Sequence, residues 1–255
     1  MKYVRIDNGF EKWVVFIHGI GGSTKTWNKQ ILDFSKEYNL LLLDLPGHGE
    51  SQDEQPKKIK IRKINKEIEE ILSENKIEKA DFVGMSMGAL VLANFAVCKP
   101  KYVKSIVFGG AAIKVRGVYK VLMSLTQKIK NIVPYKMFYK TLSFVMMPKK
   151  NHQKSRNIFI RELLKMQKST FMAWVDFLKN TINPEMLLNR LSSLNIKILF
   201  VSGDEDKCFL KGAKTAKNLL KNAKFKLIRH CGHICTIEKY KDFNVLALNF
   251  LHNVA

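Results

Sequence analysis

A chain of 255 residues is long enough to form one large domain with a well-filled core. Its 46% hydrophobic and 26% charged residues are typical of a globular protein and exclude a disordered or collagen-like chain. The balance of charge is basic, with 44 Lys and Arg against 22 Asp and Glu, and it is uneven, since residues 113–175 contain fourteen basic residues and one acidic residue, Glu162.

The N-terminal residues contain no apolar leader, and no apolar run is long enough to cross a bilayer. Four cysteines in a chain of this length do not resemble the disulfide framework of a secreted protein. We therefore expect reduced thiols and a cytoplasmic location.

Short apolar runs alternate with longer amphipathic stretches along most of the chain. This alternation predicts βα units and a mainly parallel sheet, with strands covered by helices on both faces. The predicted strands are 13–17, 40–44, 80–83, 105–108, 196–201 and 225–228, and the predicted helices are 27–37, 59–73, 86–97, 213–220 and 240–251.

The alternation breaks after Gly109-Gly110, and the pattern becomes helical. We predict a helical lid over residues 112–185, inserted into a core formed by residues 1–111 and 186–255. The lid is rich in Met and aromatic residues, which suit the wall of an apolar pocket and also suit packing of the lid on the core. Both interpretations stay open at this point.

The strongest local motif is Gly84-Met85-Ser86-Met87-Gly88, which directly follows a predicted strand and precedes a predicted helix. This is the setting that a nucleophile elbow requires, because the small residues let the chain turn sharply and raise Ser86 above the sheet edge. The helix N-terminus also favours negative charge on the reacting oxygen. The motif predicts Ser86 as a nucleophile.

A serine nucleophile needs a base to take its proton and an acid to orient that base. The turn after strand 196–201 contains Asp204 and Asp206, and the turn after strand 225–228 contains His230 and His233. Both turns follow the carboxyl ends of strands, where α/β proteins place their sites.

These motifs together resemble those of the α/β-hydrolase family, specifically its lidded, esterase-like serine hydrolases. The resemblance rests on residues 16–22 (FIHGIGG), 44–51 (DLPGHGES), the elbow, 203–206 (GDED) and 232–233 (GH), and it covers nearly the whole chain outside the lid. It implies the α/β-hydrolase fold, with a mainly parallel central sheet flanked by helices and an inserted helical lid.

The resemblance also selects among neighbouring candidates. The acid of the family pattern falls on Asp206, with Asp204 as its rival. The histidine preceded by glycine falls on His233 rather than His230, and Glu238 supplies the acidic residue that follows it at a helix start.

Acyl transfer further requires donors for the oxyanion. The resemblance assigns them to the backbone N–H groups of Met87 and Ile20, and it implies that Gly19 permits the turn while His18 braces the loop.

Two other groupings invite a metal interpretation. Asp44 and His48 fall in the loop that the resemblance makes structural, and Cys231 and Cys235 flank one histidine without a second ligand pair at zinc-finger spacing. We expect no metal and no cofactor, since nucleotide-binding glycine motifs are also missing from the sequence.

The sequence thus predicts a serine hydrolase that cleaves a carboxylic ester or thioester of a small apolar or acyl substrate. A C–C bond hydrolase and a ligand-binding sensor with little turnover remain as alternatives. The basic residues of the lid are compatible with weak association with an anionic membrane surface, and also with helix faces that are simply exposed to solvent. The predicted helices do not show the spaced arginine and aromatic residues of nucleic-acid-binding modules.

Overall fold

The computed structural model of the protein describes residues 1–113, 135–181 and 183–254. Within these ranges seven strands form one sheet, in the order β1-β3-β2-β4-β5-β6-β7. Strand β1 is antiparallel to β3, and the other neighbouring pairs are parallel. The strands are β1 (Lys2–Ile6), β2 (Trp13–Ile17), β3 (Asn39–Asp44), β4 (Ala80–Met85), β5 (Val103–Gly109), β6 (Lys197–Gly203) and β7 (Ala223–Ile228).

Helices cover both faces of the sheet. One face packs against α1 and α10, and the other against α2, α3, α7 and α8. None of the helices in the described part of the chain is both long and apolar enough to span a membrane. The helices are α1 (Asn28–Phe34), α2 (Ile61–Glu74), α3 (Met87–Cys98), α4 (Tyr135–Met146), α5 (Gln153–Leu163), α6 (Lys168–Asp176), α7 (Pro184–Ser192), α8 (Leu210–Leu219), α9 (Cys235–Glu238) and α10 (Tyr240–His252).

The central strands are apolar on both sides because successive side chains enter opposite cores. In β2, Val15 and Ile17 belong to the cluster under α2 and α3, whereas Val14 and Phe16 belong to the cluster under α1 and α10. This double burial explains why these strands appear in the sequence as continuous apolar runs.

The prediction of a mainly parallel α/β sheet flanked by helices is confirmed. Each of the six predicted strands is found, strand 13–17 with the predicted ends and the others with ends that differ by one or two residues. Strand β1 was not predicted. Its residues KYVRI lie at the sheet edge and are largely exposed, so they lack the apolar run that identifies the other strands.

Helices α4, α5 and α6 lie between β5 and β6 in the chain, and we call residues 135–181 the insertion. The insertion packs around its own small apolar cluster, which includes Tyr139, Phe159, Leu163 and Phe171. Residues 114–134 and 182 of the predicted lid lie outside the described residues. The lid boundaries at 112 and 185 stay a prediction, and the second falls inside α7, which packs against α3.

Candidate active site

Ser86 stands on a sharp turn between β4 and α3. Its backbone has φ 53° and ψ −115°, a conformation that is rare for a non-glycine residue and costs on the order of 1 to 3 kcal/mol. Hydrogen bonds hold the turn, since the Ser86 N–H donates to the Gly109 carbonyl at 2.8 Å and the Ser86 carbonyl accepts from Ala89 and Ala112. These hydrogen bonds to the neighbouring strand, to the following helix and to the loop after β5 offset the cost of the strained Ser86 backbone.

Glycine at position 88 is required by a close approach of two backbone segments. A Cβ atom on Gly88 would collide with the carbonyl oxygens of Ile17 and His18 at the end of β2. The elbow therefore packs directly on the loop that follows β2, which brings residues 18–22 next to Ser86.

Asp206 lies in the turn that follows β6, and its side chain is fully buried. One carboxylate oxygen, Oδ1, accepts hydrogen bonds from the N–H groups of Cys208 at 3.1 Å and Phe209 at 3.0 Å. The other oxygen, Oδ2, is 2.8 Å from Nδ1 of His233. Backbone donors thus fix the carboxylate so that its free oxygen faces the imidazole.

His233 lies between this carboxylate and the serine. Its Nε2 atom is 2.9 Å from Ser86 Oγ, and the ring is 2% exposed. Because an ionised carboxylate only accepts hydrogen bonds, Nδ1 carries the proton and Nε2 presents a lone pair to the serine hydroxyl. The three side chains, 147 and 27 residues apart along the chain, form one hydrogen-bonded row.

The two rival residues occupy different positions. Asp204 Oδ1 accepts from the Cys231 N–H at 3.2 Å, so this carboxylate holds the histidine loop rather than the ring. His230 is exposed and takes φ 51°, which makes it a turn residue outside the row.

The loop after β2 is held by buried side chains. His18 Nδ1 donates to the Gly19 carbonyl at 2.7 Å, and its Nε2 accepts from the Leu45 N–H at 3.1 Å. Burial lowers the pKa of His18, so the ring remains neutral and uses both nitrogens as braces. A Cβ atom on Gly19 would lie 2.9 Å from the Ser86 Cβ, which measures how closely this loop approaches the nucleophile.

Known proteins share this fold. A family model described as the alpha/beta hydrolase fold matches residues 12–135. A solved carboxylesterase structure from Nitrososphaera gargenis superposes on 99% of this chain and 94% of its own, with a TM-score of 0.83 at 18% identity. The chain has the alpha/beta-hydrolase fold.

Two curated relatives show how far similarity in sequence extends. One is the dihydrolipoyllysine-residue acetyltransferase component of the acetoin cleaving system of Cupriavidus necator. The aligned segment is 35% identical and covers 42% of this chain but only 28% of that protein. The 2-hydroxy-6-oxononadienedioate/2-hydroxy-6-oxononatrienedioate hydrolase of Cupriavidus pinatubonensis is 24% identical over 94% of this chain and 86% of its own length.

In this hydrolase fold, Glu238 holds the backbone on both sides of His233. Its Oε2 accepts from the Gly232 N–H at 2.6 Å, and its Oε1 accepts from the Ile234 N–H at 3.4 Å. Oε1 also accepts from Ser155 Oγ of the insertion at 2.8 Å. The sequence singled out Glu238 as the acidic helix start but not its contact with the insertion.

A second carboxylate, Glu205, links the insertion to the acid turn. It accepts from His152 Nε2 at 2.8 Å, Asn151 Nδ2 at 2.9 Å and Lys149 Nζ at 2.6 Å. The hydrogen bonds from Asn151 and Lys149 lower the pKa of Glu205 to about 2, so it is ionised at neutral pH.

His152 is fully buried between the two carboxylates, with Glu238 Oε2 at 3.7 Å. Its Nδ1 accepts from the Lys149 N–H at 3.4 Å, which assigns the proton to Nε2 and matches the donation to Glu205. Sequence reasoning missed His152, Ser155 and Asn151, since nothing in the local pattern of the insertion marks them.

A small apolar cavity lies over Ser86 and His233. It has a volume of about 40 Å³, far below the roughly 300 to 1,000 Å³ typical of small-molecule sites. The insertion forms one wall of the cavity, and the loop after β2 forms the opposite wall. The two walls meet where Leu163 of the insertion lies against Gly21 of the loop. The lining residues are His18 to Gly22, Thr26, Trp27, Met85, Ser86, Met146, Ile158, Phe159, His233, Ile234, Thr236 and Ile237.

The residues that suggested metal sites have structural contacts. Asp44 accepts from the N–H groups of Thr24 at 2.7 Å and Glu50 at 2.9 Å. The His48 ring packs between His18 and Trp174, and burial holds its pKa well below the usual value. In the described ranges no three His, Cys, Asp or Glu side chains are grouped as metal ligands would be.

The cysteines beside the site are free and buried. Burial raises the pKa of the Cys231 and Cys235 thiols, so both stay protonated at neutral pH and are poor nucleophiles.

Proposed function

We propose that the protein is a serine hydrolase that cleaves carboxylic esters through an acyl-enzyme on Ser86. The observation that carries the proposal is the hydrogen-bonded row from Ser86 through His233 to Asp206, at 2.9 and 2.8 Å, facing an apolar cavity. A ligand-binding protein without turnover does not need a nucleophile, a base and an oriented acid in this order.

In the first step, Ser86 Oγ forms a bond with the ester carbonyl carbon while its proton moves to Nε2 of His233. Negative charge develops on the carbonyl oxygen, which the N–H groups of Ile20 and Met87 stabilise. Met87 opens α3, so its N–H has no acceptor one turn earlier in the helix and is available to such an oxygen. The carbonyl then re-forms, the bond to the alkoxide oxygen breaks, and the alcohol leaves with the proton from His233.

In the second step, His233 takes a proton from water as the water oxygen bonds to the acyl carbon. The Ser86 oxygen is released with the proton, which yields a carboxylic acid and the free enzyme. Asp206 keeps the imidazole in the tautomer that accepts at Nε2 and stabilises the imidazolium that forms in each step.

The cavity supports a short, apolar acyl group. Ile20, Met146 and Phe159 lie around the nucleophile, and a volume of about 40 Å³ leaves room for only a few heavy atoms. Acyl chains longer than this require the insertion to move away from the loop at residues 18–22.

A C–C bond hydrolase is the second candidate, favoured by the relative from Cupriavidus pinatubonensis that matches 94% of this chain. The substrate in its name carries a ketone and carboxylates but no ester. Esters are preferred here because the cavity lining, apart from the reacting pair, is mainly apolar and offers few partners for such groups.

Labelling with a fluorophosphonate followed by a substrate panel tests the proposal. We expect labelling of the parent, none of Ser86→Ala, and unchanged labelling of Ser202→Ala, because Ser202 is buried at the end of β6 and its Oγ bonds to no described group. Nitrophenyl esters from acetyl to octanoyl, a matched thioester and a ketone with a vinylogous acid then define the reaction.

We expect the acetyl or propionyl ester to give the highest kcat/KM. Turnover of the ketone alone would assign the second candidate. Labelling without turnover of any panel member would indicate a ligand-binding sensor, and labelling of Ser86→Ala would exclude Ser86 as the nucleophile.

A further inference from the structure

Strand β7 is the last strand of the sheet, and among the described residues only its inner edge is bonded, to β6. Its outer edge presents backbone N–H and C=O groups to solvent, as does any terminal strand. Lys224, Lys226 and Leu227 are exposed along it.

A groove lies on each side of this edge. The groove toward α8 has a volume of about 560 Å³, and Lys214, Lys217 and Asn218 line it together with β7. The groove toward α10 has a volume of about 670 Å³, and its floor includes Leu199, Leu246 and Phe250. Both grooves are therefore far larger than the cavity at Ser86.

The charge around β7 is positive and uncompensated. Residues 207–237 contain seven Lys and one Arg but no Asp or Glu. Six lysines line the grooves, and within the described ranges none of them has a carboxylate oxygen within 4.0 Å; they are Lys197, Lys214, Lys217, Lys221, Lys224 and Lys226.

Some lysines elsewhere on the protein are paired. Lys25 contacts Glu50 at 3.0 Å, Lys99 contacts Glu69 at 2.5 Å, and in the insertion Lys165 contacts Glu162 at 2.8 Å. The β7 edge thus combines six lysines that have no carboxylate partner in the described residues with a stretch of sequence, residues 207–237, that contains no acidic residue.

We propose that the β7 edge, defined as Ala223–Ile228 with its two grooves, binds an acidic, extended polypeptide segment that adds to the sheet as a further strand. Successive side chains of an added strand point to opposite faces. Lys224 and Lys226 alternate with Phe225, which packs toward α8, so they lie on the face toward α10 together with Ile228. Carboxylates on one face of the added strand meet Lys224 and Lys226 there, and apolar side chains on its other face lie beside Phe225 in the groove toward α8.

The same features disfavour other occupants. A second copy of this chain would bring its own Lys224 and Lys226 against those of the first, and like charges at a strand edge repel. A flat bilayer does not fill two grooves separated by a strand, and the described groove lining contains no arginine, the side chain that most often reads base edges.

A synthetic peptide tests the proposal. The probe is a fluorescent, end-capped peptide of four Val-Glu repeats, and binding to the full-length protein is followed by anisotropy at low salt. We expect binding that weakens as salt rises, no binding of the Val-Lys counterpart, and at least about tenfold weaker binding of a peptide N-methylated at alternate residues, which lacks strand hydrogen bonds.

Matched charge reversals locate the site. Lys224→Glu/Lys226→Glu should weaken peptide binding at least about tenfold, whereas Lys57→Glu/Lys58→Glu, which changes net charge equally at exposed lysines remote in sequence, should change it less than about twofold. The melting temperature and fluorophosphonate labelling of each variant show whether it is folded.

Three results would overturn the proposal. Equal loss of binding in both double variants would indicate general charge attraction, and equal binding of the N-methylated peptide would exclude strand addition. Tighter binding of phosphatidylserine vesicles or of duplex DNA than of the peptide, lost in Lys224→Glu/Lys226→Glu, would assign the edge to another class of partner.

Discussion

The carboxyl edge of the sheet and the β7 edge use charge in opposite ways. At the carboxyl edge, Asp206, Glu205 and Glu238 each accept several hydrogen bonds at 2.6 to 3.4 Å. At the β7 edge, six lysines line open grooves without a carboxylate partner in the described residues. Charged groups whose hydrogen bonds are all made within the protein hold atoms in fixed positions, as catalysis requires. Charged groups without an internal partner can instead bind a group of opposite charge on another molecule.

The largest effect should follow from loss of the carboxylate beside His233. We expect Asp206→Asn to lower kcat on the order of 10⁴-fold, because an amide stabilises the wrong imidazole tautomer and no imidazolium. Steady-state hydrolysis of the best ester in the panel measures it.

The control for that change is Asp204→Asn, two residues away. It should cost far less in kcat, because the Asp204 carboxylate accepts a hydrogen bond from the Cys231 N–H and from no other described group. Equal losses of kcat in the two variants would contradict the role of Asp206 as the carboxylate that orients His233.

A smaller effect should follow from releasing the loop around His233. We expect Glu238→Ala to lower kcat about 10²-fold with little change in KM, since a displacement of about 1 Å at the base is enough for such a loss. Glu238→Gln, which keeps one acceptor oxygen, should recover part of it. The exposed Glu78 supplies the control Glu78→Ala, and a rise in KM alone would argue against a positioning role.

The link between Glu205 and the insertion should appear as a pH-dependent stability. The folded protein holds the pKa of Glu205 at about 2, below its ordinary value of 4.5. Its contribution is therefore complete above about pH 4.5 and is lost as the pH falls toward 2.

We therefore expect the melting temperature of Glu205→Gln to lie below that of the parent at pH 7, with the difference shrinking through this window. The exposed Glu11→Gln should show no such convergence. A constant difference across the window would show that ionisation of Glu205 does not stabilise the contact with His152.

The smallest effect should come from the β7 edge itself. Lys224→Glu/Lys226→Glu should leave kcat/KM for a neutral ester within about twofold of the parent, because exposed charges remote from the reacting atoms are screened by salt. A loss as large as that of Glu238→Ala would show that the two edges are coupled.

Much of the site could be predicted from local sequence. The elbow around Ser86 is recognisable because the steric demand of its turn falls on residues within two positions of it, and the strands of the core are recognisable because both faces are apolar. Strand β1 was missed for the opposite reason, since its exposed side chains carry no such pattern.

The supporting residues could not be predicted in this way. His152 lies 53 residues from Glu205, and Ser155 lies 83 residues from Glu238, so no spacing in the sequence connects them. Their polar side chains in the insertion resemble solvated helix residues until packing buries them.

By itself, the sequence determined the strands and helices of the core, the turn that raises Ser86, and the order of serine, acid and histidine, because each depends on periodicity or on sterics among near neighbours. Tertiary structure alone decided which carboxylate reaches His233, how small the cavity is, and which lysines remain unpaired. These depend on distances between segments far apart in the chain, and only packing brings such segments together.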